Sequence, residues 1–133
     1  MKICAWRYLE NTRNYPGFNL SSDPEGYRFL RERLTAGYSK TSISLNTVDK
    51  AVLSVPNNSH QQNHSFRKLR FFTASPDSSE DFLQFKEFED ELHVTLSNSQ
   101  LKVVLDGLTD VKRGGGDYCI CDNNGAGLWL WWL

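Results

Sequence analysis

The residues best suited to bind a metal ion are two cysteines and two histidines. Cys119 and Cys121 are separated by one residue, so on a β-strand both thiols would lie on the same face. His60 and His64 are four residues apart, and together the four side chains match the ligand types of a Cys2His2 zinc site. The spacing argues against such a site, because zinc sites usually place two or more residues between their cysteines. Small buried cysteines are common in strands, so we expect neither a metal nor a cofactor.

A run of three glycines, Gly114 to Gly116, precedes Asp117 and invites comparison with a phosphate-binding loop. Phosphate loops place their glycines before a helix, where backbone amides meet the anion. Here the run follows a helical pattern, so we expect a helix stop and a turn. The sequence also contains neither a Gly-x-Ser-x-Gly nor a His-Glu-x-x-His motif. A small enzyme of unknown reaction, with a site near the 57–65 and 114–117 segments, is kept as an alternative.

Residues 67–72 read Arg-Lys-Leu-Arg-Phe-Phe and interleave basic with aromatic side chains. Strand surfaces that bind single-stranded nucleic acid combine the same residue types. However, the isoelectric point of about 6.3 is far from the basic value typical of such domains. Basic side chains on the solvent face of an edge strand also discourage aggregation. We therefore expect no nucleic-acid partner.

Four acidic residues, Glu87, Glu89, Asp90 and Glu91, surround a predicted hairpin turn. Residues 75–133 hold 11 acidic and 4 basic residues, whereas residues 1–74 hold 5 acidic and 11 basic ones. A solvated turn would explain the cluster without any function. The alternative is a docking surface for a basic protein, since complementary charges speed encounter and set specificity.

The last strand, reading Leu-Trp-Leu-Trp-Trp-Leu from Leu128, is apolar on both faces. Such a strand is typical of the centre of a sheet that is covered on both sides. If one face is open instead, it presents Trp129 and Trp131, and indole rings are favoured anchors in protein interfaces. Self-association of two copies of the chain through this strand would use the same exposed face. Trp129 and Trp131 are therefore candidate partner-binding residues, together with the four acids.

Two segments have helical periodicity, and eight have the alternation or apolar run of a β-strand. A cap signal at Ser22 or Asp23 with Pro24 behind it predicts a helix over about 23–36. An apolar stripe from Leu101 to Val111 predicts a second helix over about 98–113. The predicted strands are 3–9, 41–46, 50–55, 66–74, 82–88, 91–96, 118–121 and 128–133. The polar segment 57–65 is predicted to be a loop.

These elements predict an α+β fold with a mainly antiparallel sheet of about seven or eight strands and two packed helices. Short turns join most of the strands, which favours antiparallel pairing. A length of 133 residues with 39% hydrophobic side chains can bury a core without disulfides, so residues 1–133 are taken as one globular domain. The sequence contains no internal repeat that would suggest otherwise.

The function that these features favour is a non-enzymatic protein-binding module. It would act through an acidic surface, an aromatic surface or both, and a cytoplasmic inhibitor of the immunity-protein kind is one concrete form.

Three cysteines are an odd and sparse set, and the first residues do not form a signal peptide, so we expect a cytoplasmic location. The longest apolar run is far shorter than the roughly 20 residues that cross a bilayer, so no membrane partner is expected. A basic protein or a second copy of the chain is the expected partner, and a homodimeric accessory protein is the third alternative.

Overall fold

The fold is described from a computed structural model, which covers residues 1–8, 17–37, 39–46, 63–73, 81–112, 118–123 and 125–132. Two helices lie in this part of the chain, α1 (Pro24–Thr35) and α2 (Asn98–Lys112). Its strands, in chain order, are β1 (Ile3–Tyr8), β2 (Phe18–Ser22), β3 (Lys40–Ser44), β4 (Asn63–Ser65), β5 (Lys68–Thr73), β6 (Leu83–Phe88), β7 (Glu91–Leu96), β8 (Tyr118–Cys121) and β9 (Gly127–Trp132).

The strands form two mixed sheets. The first has five strands in the order β4-β1-β2-β9-β8, and the second has four in the order β3-β5-β7-β6. All neighbouring strands in both sheets are antiparallel except two parallel pairs, β2 with β9 and β5 with β7. The α+β class is therefore confirmed, but the prediction of one sheet with seven or eight strands is wrong. Period-two alternation shows which residues share a face, but not which strands are partners.

One extended segment, residues 63–73, contributes a strand to each sheet. β4 pairs with β1 in the five-stranded sheet, and β5 begins three residues later in the four-stranded sheet. Between them, the Phe66 amide donates a hydrogen bond to the Ala5 carbonyl at 2.9 Å, which continues the pairing with β1. The predicted strand 66–74 therefore corresponds to β5 alone, and residues 63–65 of the predicted loop form β4.

Strand β2 was missed because its sequence carries a competing signal. The segment reads Phe-Asn-Leu-Ser-Ser, and its two serines resemble the start of a helix cap. In the structure the cap is Asp23, whose Oδ1 accepts a hydrogen bond from the Gly26 amide at 2.8 Å. The predicted helices agree with α1 and α2 to within one or two residues at each end. The predicted strand 50–55 lies outside the described residues, as do 57–62 of the predicted loop.

The core lies between the inner faces of the sheets and the two helices. The two helices contact each other, and α2 also contacts β8 and β9. The buried side chains of α1 are Tyr27, Leu30 and Leu34, and they join the same apolar cluster as Leu20 of β2 and Leu130 of β9. The Tyr27 hydroxyl donates to the carbonyl oxygens of Leu20 and Trp131, which ties α1 to the β2–β9 pair. Burial raises the pKa of this phenol, so it remains a hydrogen-bond donor.

The turn that follows β8 covers part of the edge strand β6. Asp122 is buried, and its Oδ2 accepts a hydrogen bond from the Phe85 amide at 3.1 Å. Oδ1 of the same carboxylate accepts from the Ala126 amide at 2.8 Å, which closes the β8–β9 turn. Asn123 adds two hydrogen bonds to the backbone of Leu83. This turn therefore links the two sheets and satisfies amides that an exposed edge would leave open.

No helix in the described part of the chain has both the length and the apolar character needed to cross a membrane.

Candidate interaction surface at the β6–β7 hairpin

The predicted hairpin is present, and Glu89 and Asp90 form its turn. Glu89 has a φ of 54°, a left-handed conformation that non-glycine residues adopt mainly in turns. The Asp90 carbonyl accepts a hydrogen bond from the Arg67 amide at 2.7 Å. The turn is therefore tied directly to the segment that connects β4 and β5.

Two of the four predicted acids are paired inside the protein. Glu87 lies 2.7 Å from the Nε of Arg7, which comes from β1 of the other sheet. Glu91 accepts from His93 at 3.0 Å and lies 3.0 Å from the Nε of Arg70. The bond from His93 and the charge of Arg70 hold the pKa of Glu91 below its ordinary value. Both carboxylates are largely covered. Their role is therefore to support the hairpin through these ion pairs and not to contact a partner.

His64 of β4 approaches the hairpin from the five-stranded sheet. Its Nε2 lies 3.5 Å from an Asp90 oxygen and 3.7 Å from a Glu87 oxygen. The imidazole also meets the Phe66 ring edge to face, with the centroids 5.2 Å apart. Arg7 of β1 and the segment before β5 therefore hold the end of this hairpin, and His64 of β4 packs beside it.

The remaining groups at the turn face solvent. Glu89 is exposed, the Asp90 side chain is 52% exposed, and Phe88 is 57% exposed. We call these three residues, Phe88, Glu89 and Asp90, the hairpin tip. They combine a large uncovered ring with two carboxylates on a turn that is held in place from three sides.

Phe88 belongs to a row of rings on the outer face of the four-stranded sheet. It stacks on His93 with the centroids 6.0 Å apart, and His93 meets Phe72 at 5.3 Å. The sequence-based candidates did not include this row, although alternation along β6 indicates it. Gln84, Lys86 and Phe88 share the face opposite to the buried Leu83 and Phe85.

An open groove of about 500 Å³ runs beside the hairpin tip. Its walls carry charges of both signs, with Arg67 and Lys68 on one side and the turn acids on the other. The described lining residues are Ser44, Leu45, Arg67, Lys68, Glu89, Asp90 and Glu91. The surface around the tip is therefore mixed in charge, and it is acidic only at the turn itself.

The basic and aromatic strand that suggested nucleic acid is β5, and its outer face is partly neutralised. Lys68 is exposed, whereas Arg70 is paired with Glu91 and Phe72 packs beside His93. β5 lies between β3 and β7, so protection of a sheet edge does not explain its basic residues.

The aromatic candidates lie in the five-stranded sheet and do not join the hairpin acids. β9 pairs with β2 on one side and with β8 on the other, so it is an inner strand. Trp131 is 4% exposed, and its Nε1 donates to Oδ1 of the buried Asn19 at 3.1 Å. Trp129 is half-buried, and its ring stacks on that of Trp131 at 6.3 Å. The predicted central position of this strand is therefore observed, and Trp131 is covered within the chain.

The described metal-ligand candidates do not form one site, because the histidine is distant from the two cysteines. His64 lies in β4 and the cysteines lie in β8, at opposite edges of the five-stranded sheet. Within the described residues no group of three or more His, Cys, Asp or Glu side chains has an arrangement that would hold a metal ion. His60 and the 114–117 segment of the enzyme hypothesis lie outside the described residues.

No protein-family model matches this chain, and no curated protein sequence shows significant similarity to it.

Proposed function

We propose that the protein is a non-enzymatic protein-binding module whose partner surface is the hairpin tip. The observation that carries this proposal is the exposure of Phe88, 57%, on a turn that other strands hold in place. Aromatic side chains are enriched among the residues that dominate binding energy at protein interfaces. A ring that is already fixed at the surface loses little conformational entropy when it binds.

The charge of the tip favours a partner with a basic patch. Glu89 and Asp90 present carboxylates to solvent, whereas Glu87 and Glu91 are matched by Arg7 and Arg70. Two exposed carboxylates beside an aromatic anchor would orient a basic partner and speed its encounter. The four-acid surface expected from the sequence thus becomes two groups with separate roles, one that contacts the partner and one that supports the turn.

A cytoplasmic inhibitor is the form of this function that we favour. Cys119 and Cys121 are free thiols, which suits a reducing compartment. An inhibitor needs only a rigid surface that covers a site on its target, and it needs no catalytic group of its own.

Removal of the tip is expected to abolish capture of the partner while leaving the fold intact. The two test variants are Phe88→Ala and the double variant Glu89→Lys with Asp90→Lys. Each should reduce the amount of partner retained from a host lysate at least tenfold, as measured by quantitative mass spectrometry, because interface anchors contribute about 2 kcal/mol or more. The melting temperature should change little, since exposed substitutions usually alter stability by about 0.5 kcal/mol or less.

Val103→Ala is the matched control, because Val103 is 40% exposed on α2 and lies outside the hairpin. It should retain the partner at the wild-type level. Equal capture by wild type and both tip variants would remove the hairpin tip as the binding surface. Loss of capture in all three variants would show that the effect is not specific to the tip.

A homodimer assembled through the C-terminal strand is the second candidate. Both edges of β9 are already paired, so self-association would have to use the side chains of its outer face rather than strand pairing. Trp129, which is half-buried and stacked on Trp131, is the ring that such an interface would use. Light scattering distinguishes this candidate, since a monomer at high concentration contradicts it and a dimer lost on Trp129→Ala supports it.

A further inference from the structure

The two cysteines of β8 form a preformed pair. Cys119 and Cys121 lie on the same face of the strand, and their sulfur atoms are 4.0 Å apart. Cys121 is exposed and Cys119 is half-buried, so an ion from solvent can reach the pair. Neither thiol takes part in the hairpin surface described above.

From this geometry we propose that Cys119 and Cys121 chelate one soft monovalent metal ion of the Cu(I) type. Zinc–sulfur bonds are about 2.3 Å long, and with bonds of about this length one ion can bridge sulfur atoms roughly 3.7 to 4.6 Å apart, as the S–metal–S angle opens from about 107° to 180°. The observed separation of 4.0 Å falls inside this range at an angle of roughly 120°, so rotation of the two side chains, without movement of the backbone, would give the more open angle of a two-coordinate ion. The proposal is independent of the partner-binding function.

Across the β8–β9 register, the pair faces one small residue and one aromatic residue. In the β8–β9 register, Cys121 lies opposite Gly127, which has no side chain to occupy the space beside the thiol. Cys119 lies opposite Trp129, whose half-buried ring gives one side of the site a polarisable wall. β8 is the last strand of its sheet, so no described strand covers its other side.

The number and type of ligands select the ion. Thiolates are soft ligands that favour Cu(I), whereas zinc in structural sites takes four protein ligands. His64 is at the opposite edge of the sheet, and Cys4 is three strands away in β1, so neither completes a zinc set. With two thiolates as its ligands among the described residues, the site suits Cu(I), which accepts two-coordinate binding, far better than Zn²⁺.

Binding replaces two S–H bonds with two S–metal bonds and releases the thiol protons to solvent, with no change of oxidation state. Cysteine thiols are mostly protonated at neutral pH and bind metals as thiolates, so the ion must displace their protons. The affinity for Cu(I) should therefore rise as the pH rises. This pH dependence distinguishes thiolate coordination from loose adsorption of the ion.

The test is anaerobic titration of the reduced protein with Cu(I) against a chromogenic Cu(I) chelator. The wild type should bind one Cu(I) per chain, and Cys119→Ser and Cys121→Ser should each weaken binding at least 100-fold. Cys4→Ser is the matched control, because Cys4 is fully buried in β1 and should leave Cu(I) binding unchanged. Circular dichroism of each variant establishes that it is folded.

Three outcomes would overturn the proposal. The first is a wild type that competes for Cu(I) no better than the double variant Cys119→Ser with Cys121→Ser. The second is an equal loss of affinity in Cys4→Ser, which would place the site elsewhere. The third is tighter binding of Zn²⁺ than of Cu(I), which would require further ligands.

Discussion

Gly17→Ala is expected to lower the free energy of unfolding by about 3–5 kcal/mol, from the combined cost of overpacking and left-handed strain. Gly17 has a φ of 97° and lies directly before β2, against the first residue of β9. A Cβ atom at this position would lie 2.8 Å from the backbone nitrogen of Gly127 and still closer to its carbonyl oxygen. Because these are backbone atoms, the clash can be relieved only by separating β2 from β9, the parallel pair inside the five-stranded sheet.

Gly37→Ala is the control that isolates the steric contribution. Gly37 also has a positive φ, 78°, but a Cβ there would meet no atom within 4 Å. Gly37→Ala should therefore lower the free energy of unfolding by only about 1–2 kcal/mol, which is the cost of the left-handed conformation alone. Urea denaturation of both variants measures the difference, and equal losses would mean that β2 and β9 do not approach as closely as described.

Asp122→Ala is expected to have the second largest effect, a loss of about 2–5 kcal/mol in the free energy of unfolding. The buried carboxylate accepts hydrogen bonds from the amides of Phe85 and Ala126, and alanine would leave both donors without that acceptor. A buried donor left unsatisfied costs about 1–3 kcal/mol. Since Phe85 lies in β6 and Asp122 follows β8, the loss would also loosen the connection between the two sheets.

A graded series distinguishes this explanation from a general effect of removing charge. Asp122→Asn keeps one acceptor oxygen of the two, so its loss in chemical denaturation should be intermediate between wild type and Asp122→Ala. Asp106→Ala removes an exposed carboxylate from α2 and should change stability by about 0.5 kcal/mol or less. If Asp106→Ala were as destabilising as Asp122→Ala, net charge and not the hydrogen bonds would explain the loss.

Local patterns in the sequence predicted individual elements well, because the signals of helix caps and strand alternation are local. Asp23 and Pro24 mark the start of α1, and the alternation of Leu92, Val94 and Leu96 gives the buried face of β7. These local patterns do not show which strands pair with one another. β2 is placed inside the first sheet by pairing with β9, a strand more than 100 residues away in the chain.

The candidate site, too, could be predicted only in part from local sequence patterns. The sequence correctly placed four acids at one turn, but it could not show that Arg7 neutralises Glu87 from 80 residues away or that Arg70 neutralises Glu91. It also named the tryptophans of β9 as aromatic anchors and did not single out Phe88. Exposure depends on the packed structure, which buries Trp131 beside Asn19 and leaves Phe88 uncovered.

The paired acids connect the hairpin to the other sheet. Arg7 and His64 come from the five-stranded sheet, whereas Glu87 and Asp90 come from the four-stranded sheet. The same contacts that join the sheets therefore hold the tip in position. If the proposed function holds, loss of Arg7 should weaken partner binding through the mobility of the turn, even though Arg7 itself is not at the tip.

Hydrogen–deuterium exchange of the protein, alone and with its captured partner, tests the proposed function most directly. Partner binding at the hairpin tip should slow exchange at residues 88–90, with little change in the β8–β9 hairpin or in α2. Slower exchange confined to the β8–β9 hairpin, with the tip unaffected, would contradict the proposed function and would favour the face that carries Trp129.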